Sequence, residues 1–275
     1  MSRAFIALQR ALPQHGLSRL LGRFAASDRP WLAQPLIRAF QRAYGIDLAE
    51  AEREAAEDYE SFNDFFTRSL KPGTRPFATE ADALCSPVDG FVSEYGRIEA
   101  GALLQAKGIT YSAAELLGDR RAAADFDGGR FITLYLAPAN YHRIHAPLAG
   151  QLRRTIALPG RLFSVNAATA AGVPGLFAIN ERLTCLFDGP QGPWALVMVG
   201  ALIVASIETP WPGPRSPYRS VRDTDYNIAV APGAEIGRFL LGSTVVLCLP
   251  AATEFAPLSA GQPVRCGERL GSLGK

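Results

Sequence analysis

Two of the chain's three histidines sit in one short stretch, Tyr141-His142-Arg143-Ile144-His145, bracketed by Pro138 and Pro147. Histidine titrates near neutrality. The stretch could therefore supply a general base, an anion site with Arg143, metal ligands, or hydrogen bonds that only hold a loop. No HExxH or CxxC completes a metal set, so no metal is expected. A base needs a group to activate and a group to orient it. Asp89 lies in the turn Pro87-Val88-Asp89-Gly90, and Ser243 follows Gly242 in Leu241-Gly242-Ser243-Thr244. Aspartate before glycine is also ordinary turn chemistry. Ser243 has no GxSxG elbow, and a strand rather than a helix is expected after it. From spacing alone, Asp–His–Ser is one constellation among many.

The elements that must position these residues change character along the chain. The first ~70 residues read as helical. Phe5, Leu8 and Leu12 share one face, and Pro13 and Gly16 should break that helix. Leu17, Leu20, Leu21 and Phe24 repeat the pattern, and Leu32, Ile37 and Phe40 form a third piece. Ser61 ahead of Asp64 reads as an N-cap with an acid in the first turn. After Pro72-Gly73 short β-branched runs alternate with Gly/Pro breaks, which predicts a mainly antiparallel β body. The expected organisation is α+β: amphipathic helices over 1–74, then a β-rich body over 75–275. Trp211 to Asn227 reads as a long loop. Within Gly237 to Pro250 an apolar, strand-like run is broken once, by Gly242-Ser243, where a strand would be weakened.

Composition narrows the classes. Nearly half of the 275 residues are hydrophobic, and the net charge is +2. Residues 1–46 hold seven arginines and a single acid, Asp28, a local charge of about +6. A basic, amphipathic N-terminus fits either helices packed on their own body or helices lying in an anionic membrane interface. No nucleic-acid-reading motif is present, so nucleic acid is not an expected partner. The most apolar window, Trp194 to Ile207, is too short for a spanning helix, which needs about 20 residues, and reads as one or two buried strands. No signal peptide is expected. Cys85, Cys185, Cys248 and Cys266 lie far apart and read as reduced, buried thiols.

Five blocks, in order, resemble the phosphatidylserine decarboxylase proenzymes, a pyruvoyl-dependent family of phospholipid synthesis. They are SFNDFFTRSLKPGTRPF (61–77), SPVDG (86–90), YHRIHAP (141–147), LFSVN (162–166) and LGST (241–244). The likeness spans essentially the whole chain. It implies a self-processing triad of Asp89, His145 and Ser243, and a cut at the Gly242–Ser243 bond. The products would be a larger chain, 1–242, and a smaller one, 243–275, headed by a pyruvoyl group made from Ser243. That group would form a Schiff base with phosphatidylserine, and His142 would act in its decarboxylation to phosphatidylethanolamine and CO2. The resemblance also implies that the mainly antiparallel body over 75–275 is a sandwich or barrel-like catalytic domain, a peripheral place on the cytoplasmic side of the cell membrane, and a homodimer of processed protomers.

The residues suit that chemistry. Ser243 Oγ can attack the preceding carbonyl once a base takes its proton, giving an ester in place of the amide. Gly242 has no side chain to block the attack and tolerates unusual backbone geometry. β-Elimination then leaves dehydroalanine, which hydrolyses to pyruvoyl and ammonia. Three alternatives stay open: a pyruvoyl decarboxylase of a free amino acid, a Ser-His-Asp hydrolase that keeps Ser243 intact, and a non-catalytic β domain on an anionic surface.

Overall fold

The computed structural model describes residues 2–201, 207–214, 216–240 and 243–274. The helical lead consists of α1 (Ser2–Ala11), α2 (Gln14–Ala25), α3 (Pro30–Tyr44) and α4 (Phe62–Phe66). Pro13 makes the first break by itself, and Gly16 lies inside α2. Gly45, at φ +61°, ends α3 in the left-handed conformation that glycine adopts without strain. Ser61 caps α4 by accepting from the Asp64 N–H at 3.1 Å. These segments share a small core around Ile37, Tyr59, Phe62, Phe65 and Phe66.

The body then runs β1 (Ala83–Cys85), β2 (Gly90–Arg97), β3 (Ala102–Ala106), β4 (Ile109–Ser112), α5 (Ala113–Leu117), α6 (Arg120–Ala124), β5 (Arg130–Leu136), β6 (Arg143–His145) and β7 (Gly150–Leu158). It continues with α7 (Ala167–Ala170), α8 (Leu176–Ile179), β8 (Arg182–Gly189), β9 (Gly192–Val199), β10 (Ile207–Glu208), β11 (Arg222–Val230), β12 (Glu235–Phe239), β13 (Ser243–Leu249), β14 (Thr253–Phe255), β15 (Pro263–Val264) and β16 (Arg269–Leu273). The class is α+β, as expected.

The main sheet has eight antiparallel strands in the order β11-β7-β8-β9-β13-β5-β2-β15. It is open, not a closed barrel. Along β13, alternate side chains enter different cores. Val245, Leu247 and Leu249 join Ile144, Ile236, Phe239 and Leu270 from the small sheets β10-β12-β6 and β1-β16-β14. Val246 and Cys248 join Tyr111, Leu116 and Phe177 on the other face. The main sheet is therefore one layer of a sandwich, with small sheets on one side and short helices on the other.

The Trp194 to Ile207 run gives β9 and the start of β10, and residues 202–206 lie outside the described residues. The long loop expected over Trp211 to Asn227 is shorter, because Arg222 onwards is strand β11. That strand is an edge and mostly solvated, so its polar residues carry no buried periodicity. The four cysteines are buried free thiols.

Candidate active site

The sheet places Ser243 first. It opens β13 opposite Leu136 of β5, on the same face as Val245 and Leu247, and so points into the layer that holds β6 and β12. It is fully buried, and its Oγ has no hydrogen-bond partner among the described residues. Gly242 lies outside the described residues.

The histidines frame the same layer. The β12–β6 ladder continues as a bond from the Phe239 N–H to the His142 carbonyl at 3.0 Å. The stretch 137–142 thus starts beside Ser243's strand partner, Leu136, and ends beside Phe239, four residues before Ser243. His142 is fully buried. Its Nδ1 lies 2.8 Å from the Asn140 carbonyl and must donate there, which leaves Nε2 with a bare lone pair. Nε2 has no partner. The ring packs on Phe66, with centroids 4.0 Å apart. Burial, helped by the nearby Arg68 cation, pushes His142 down to about 3 against the pull of the Asn140 carbonyl. It is a neutral base throughout the physiological range.

That depression has a consequence for stability. An unfolded histidine takes up a proton below about pH 6.5, and buried His142 does not until about pH 3. Its contribution is therefore complete above pH 6.5 and is lost as pH falls from there toward 3. Between pH 6.5 and 4 the loss amounts to about 3 kcal/mol. His142→Gln should remove that slope, so its stability should fall less than wild type over the same range. Parallel urea titrations at pH 6.5 and 4 check this.

His145 is held differently. Its Nδ1 donates to the Gly233 carbonyl at 2.7 Å, and Nε2 accepts from the Tyr141 hydroxyl at 2.9 Å. Its backbone N–H bonds the Pro87 carbonyl at 2.9 Å, which docks the Pro87–Gly90 turn against β6. Burial lowers its proton affinity, and the Gly233 bond opposes this, with smaller support from Glu235 and Asp89.

Asp89 stands in that turn. Arg75 grips both of its oxygens, with Nε to Oδ1 at 2.8 Å and Nη2 to Oδ2 at 2.7 Å, and the Cys266 N–H adds a third bond at 2.8 Å. Arg75 also pairs with Glu50 at 2.9 Å. Burial opposes its charge, but the two carboxylates overcome this and raise its pKa. Gly90 is required here, because a Cβ would lie 2.4 Å from the Tyr135 carbonyl oxygen of β5.

The four predicted side chains thus share one neighbourhood, but among the described residues they are not hydrogen-bonded to one another. The Gly233 carbonyl, not Asp89, fixes the tautomer of His145, and Asp89 acts on it through charge.

An apolar cavity of about 540 Å³ adjoins this group. Leu21, Phe24, Leu36 and Phe40 line it from the helices, Phe66 from α4, and Tyr135, Leu136 and Pro138 from the body. Two of these touch the polar site: Leu136 is Ser243's cross-strand partner, and Phe66 packs on His142. None of the four predicted residues lines this cavity itself, nor the hollows of about 630 to 830 Å³ elsewhere.

The sequence reading missed Arg68, Arg75, Tyr141 and Phe66. Phe66, Arg68 and Arg75 lie inside the 61–77 block and Tyr141 inside 141–147, so the signal was present, but their partners are set by the fold and no role was read for them.

Comparison with known proteins covers nearly the whole chain. The profile of the family described as phosphatidylserine decarboxylase matches residues 62–272, and a second, described as PSD, matches residues 4–45. A protein of Pseudomonas paraeruginosa named phosphatidylserine decarboxylase proenzyme is 53% identical, over 98% of this chain and 96% of its own. Proteins of the same name from Alcanivorax borkumensis and Ectopseudomonas mendocina are each 50% identical over 98% of this chain, covering 95% and 98% of theirs.

Proposed function

From its membership of the phosphatidylserine decarboxylase family, to which this chain belongs, we propose that it is made as a proenzyme, cuts itself before Ser243, and acts at a membrane surface. Its reaction is the decarboxylation of phosphatidylserine to phosphatidylethanolamine. The observation that carries the proposal is a pair of bare, buried polar atoms, Ser243 Oγ and His142 Nε2, beside an apolar cavity. Native interiors rarely leave such atoms unpaired without a use.

Residue 243 suits a carbonyl cofactor made in place. Strands β5 and β9 pair with β13 on both sides from Thr244 to Cys248, so a new terminus there stays fixed after the cut. A pyruvoyl group at that terminus supplies an electron sink for the pair released with CO2. In self-cleavage, His145 Nε2 must exchange the Tyr141 hydroxyl for that of Ser243 and take its proton. Asp89, clamped by Arg75, steadies the resulting imidazolium through its charge. In decarboxylation, His142 Nε2, neutral at pH 7, can accept a hydrogen bond from the substrate's amine and guide protonation of the α-carbon that CO2 leaves. Phe66 and Leu136 screen these atoms from water.

The N-terminal helices support a membrane address by their orientation. Phe5, Leu8, Leu20, Phe24 and Trp31 face outward, with Leu8 58% and Trp31 68% exposed. The buried side of α1 and α2 carries Gln9, Gln14 and Ser18 beside Ile6 and Ala25. Gln9 Oε1 accepts from the Ser164 N–H at 2.7 Å, and Gln14 Oε1 from the Leu162 N–H at 2.9 Å. A helix that docks by glutamines and exposes leucines is turned for contact with lipid. Arg10, Arg19, Arg23, Arg29 and Arg42 are exposed beside those faces, each worth about 1 kcal/mol near an anionic surface. Among the described residues no helix is long and apolar enough to cross a membrane. In this reading residues 1–74 associate with the cytoplasmic side of the membrane, 75–275 form the catalytic body, and processed protomers pair as homodimers.

Processed protein should release CO2 from phosphatidylserine in anionic vesicles and not from free serine. Equal rates on both would favour the amino-acid decarboxylase. Sedimentation with those vesicles should fall as salt rises. Leu8→Ser combined with Trp31→Ser should weaken it at least tenfold, by removing roughly 3 kcal/mol of apolar burial. Unchanged sedimentation of that variant would remove the membrane role of these helices.

A further inference from the structure

Arg68 is the one strongly buried cation beside His142 that the proposed reaction leaves unused. Its residue is 5% exposed. Nη2 donates to the Ala139 carbonyl at 3.0 Å and, more weakly, to that of Asn140 at 3.5 Å. Nη1 is buried with no partner among the described residues. Among the described residues no carboxylate lies within 4 Å of the guanidinium, although 11 other ion pairs form in the chain. Arginine cannot shed its proton to escape burial, so an anion from outside the chain is the natural counter-charge.

Its placement fits a ligand beside the catalytic loop. Asn140's carbonyl, which holds His142 Nδ1, also faces Arg68. Two residues earlier, Phe66 packs on the His142 ring and lines the apolar cavity. Arg143 ties the intervening backbone down by donating to the Thr67 carbonyl at 2.8 Å and the Ser69 hydroxyl at 2.7 Å. A substrate with an apolar end in the cavity and its reacting carbon at Ser243 and His142 must carry its polar linker past this point.

We propose that Arg68 Nη1 binds the phosphodiester of the lipid head group and so positions the substrate, a role that rests on the decarboxylase reading above. The substrate's two anions are distinguished by the reaction. The carboxylate loses its charge as CO2 leaves, so a cation paired with it would stabilise the starting state and slow the step. The phosphodiester keeps its charge throughout, and a cation there binds substrate and transition state alike. A planar guanidinium also suits phosphate geometry.

The test uses the processed full chain. Phosphatidylserine turnover in mixed micelles by unaltered enzyme first establishes the reaction; its absence would refute the decarboxylase reading, separately from Arg68. On that enzyme, sn-glycero-3-phosphoethanolamine should inhibit at least tenfold better than ethanolamine and should raise the unfolding temperature. Equal inhibition by the two would overturn the phosphate assignment without any variant. Arg68→Gln, once shown to be cut and folded, should raise KM roughly 10- to 100-fold, with the loss on KM rather than kcat, and abolish the thermal shift. Arg68→Lys should fall between. A loss in kcat with the thermal shift intact would place Arg68 on the carboxylate or in support of His142 instead, and would overturn the proposal.

Discussion

His142→Ala is expected to leave the chain cut while lowering decarboxylation by roughly 10²- to 10⁴-fold. The separation follows from how the two histidines are wired. His142 is a bare base: Nδ1 is spent on the Asn140 carbonyl, and Nε2 faces no protein partner. Its depressed proton affinity keeps it neutral at pH 7, so Nε2 is open to accept a hydrogen bond from the substrate. The α-carbon needs a proton once CO2 has gone, and a buried imidazole that has received one gives it up readily. Alanine also leaves a gap against Phe66, so some loss of stability should accompany the kinetic effect. Denaturing gels and CO2 release on one preparation check the prediction. If the variant stays uncut, the roles of the two histidines are exchanged.

His145→Ala should show the reverse split: an uncut chain with no decarboxylation, because the smaller chain is never made. A serine hydroxyl at its free pKa is a weak nucleophile and needs a base within reach. Among the described residues, His145 has the features for that base. Its tautomer is set by the Gly233 carbonyl, its Nε2 already accepts from one hydroxyl, and its backbone N–H bonds the turn that holds Asp89. Removing Arg75 as well as His145 tests little, since loss of its grip on Asp89 disturbs the turn itself. Asp89→Asn is more informative. It weakens both the Arg75 clamp and the negative charge near His145, so cleavage should slow without the fold being lost. A His145→Ala chain that cuts at the normal rate would remove His145 from self-processing.

Much of the layout was legible in the chain because its signals are local. Helical periodicity over the N-terminus, the Ser61 cap and the β-branched runs after Pro72-Gly73 depend on neighbours within a few residues. Edge strand β11 was not legible, since Arg222 to Asn227 is polar and pairs on one side only. Apolar faces on α1 and α2 were visible, but their direction was not. That direction depends on Gln9 and Gln14 meeting backbone N–H groups about 150 residues away. Side-chain wiring was the least visible part. Arg75 on Asp89, Tyr141 on His145 and Arg68 on the 139–140 carbonyls are pairings that three-dimensional packing selects. Ser243 could be singled out by the family resemblance, and its burial without a partner gives that choice a physical reason.

Intact-mass analysis of the purified wild-type chain tests the proposal most directly. Two polypeptides are expected, residues 1–242 and 243–275, with the smaller lighter by one ammonia than a chain beginning in free serine. A single uncut chain of 275 residues in a preparation that decarboxylates phosphatidylserine would contradict it.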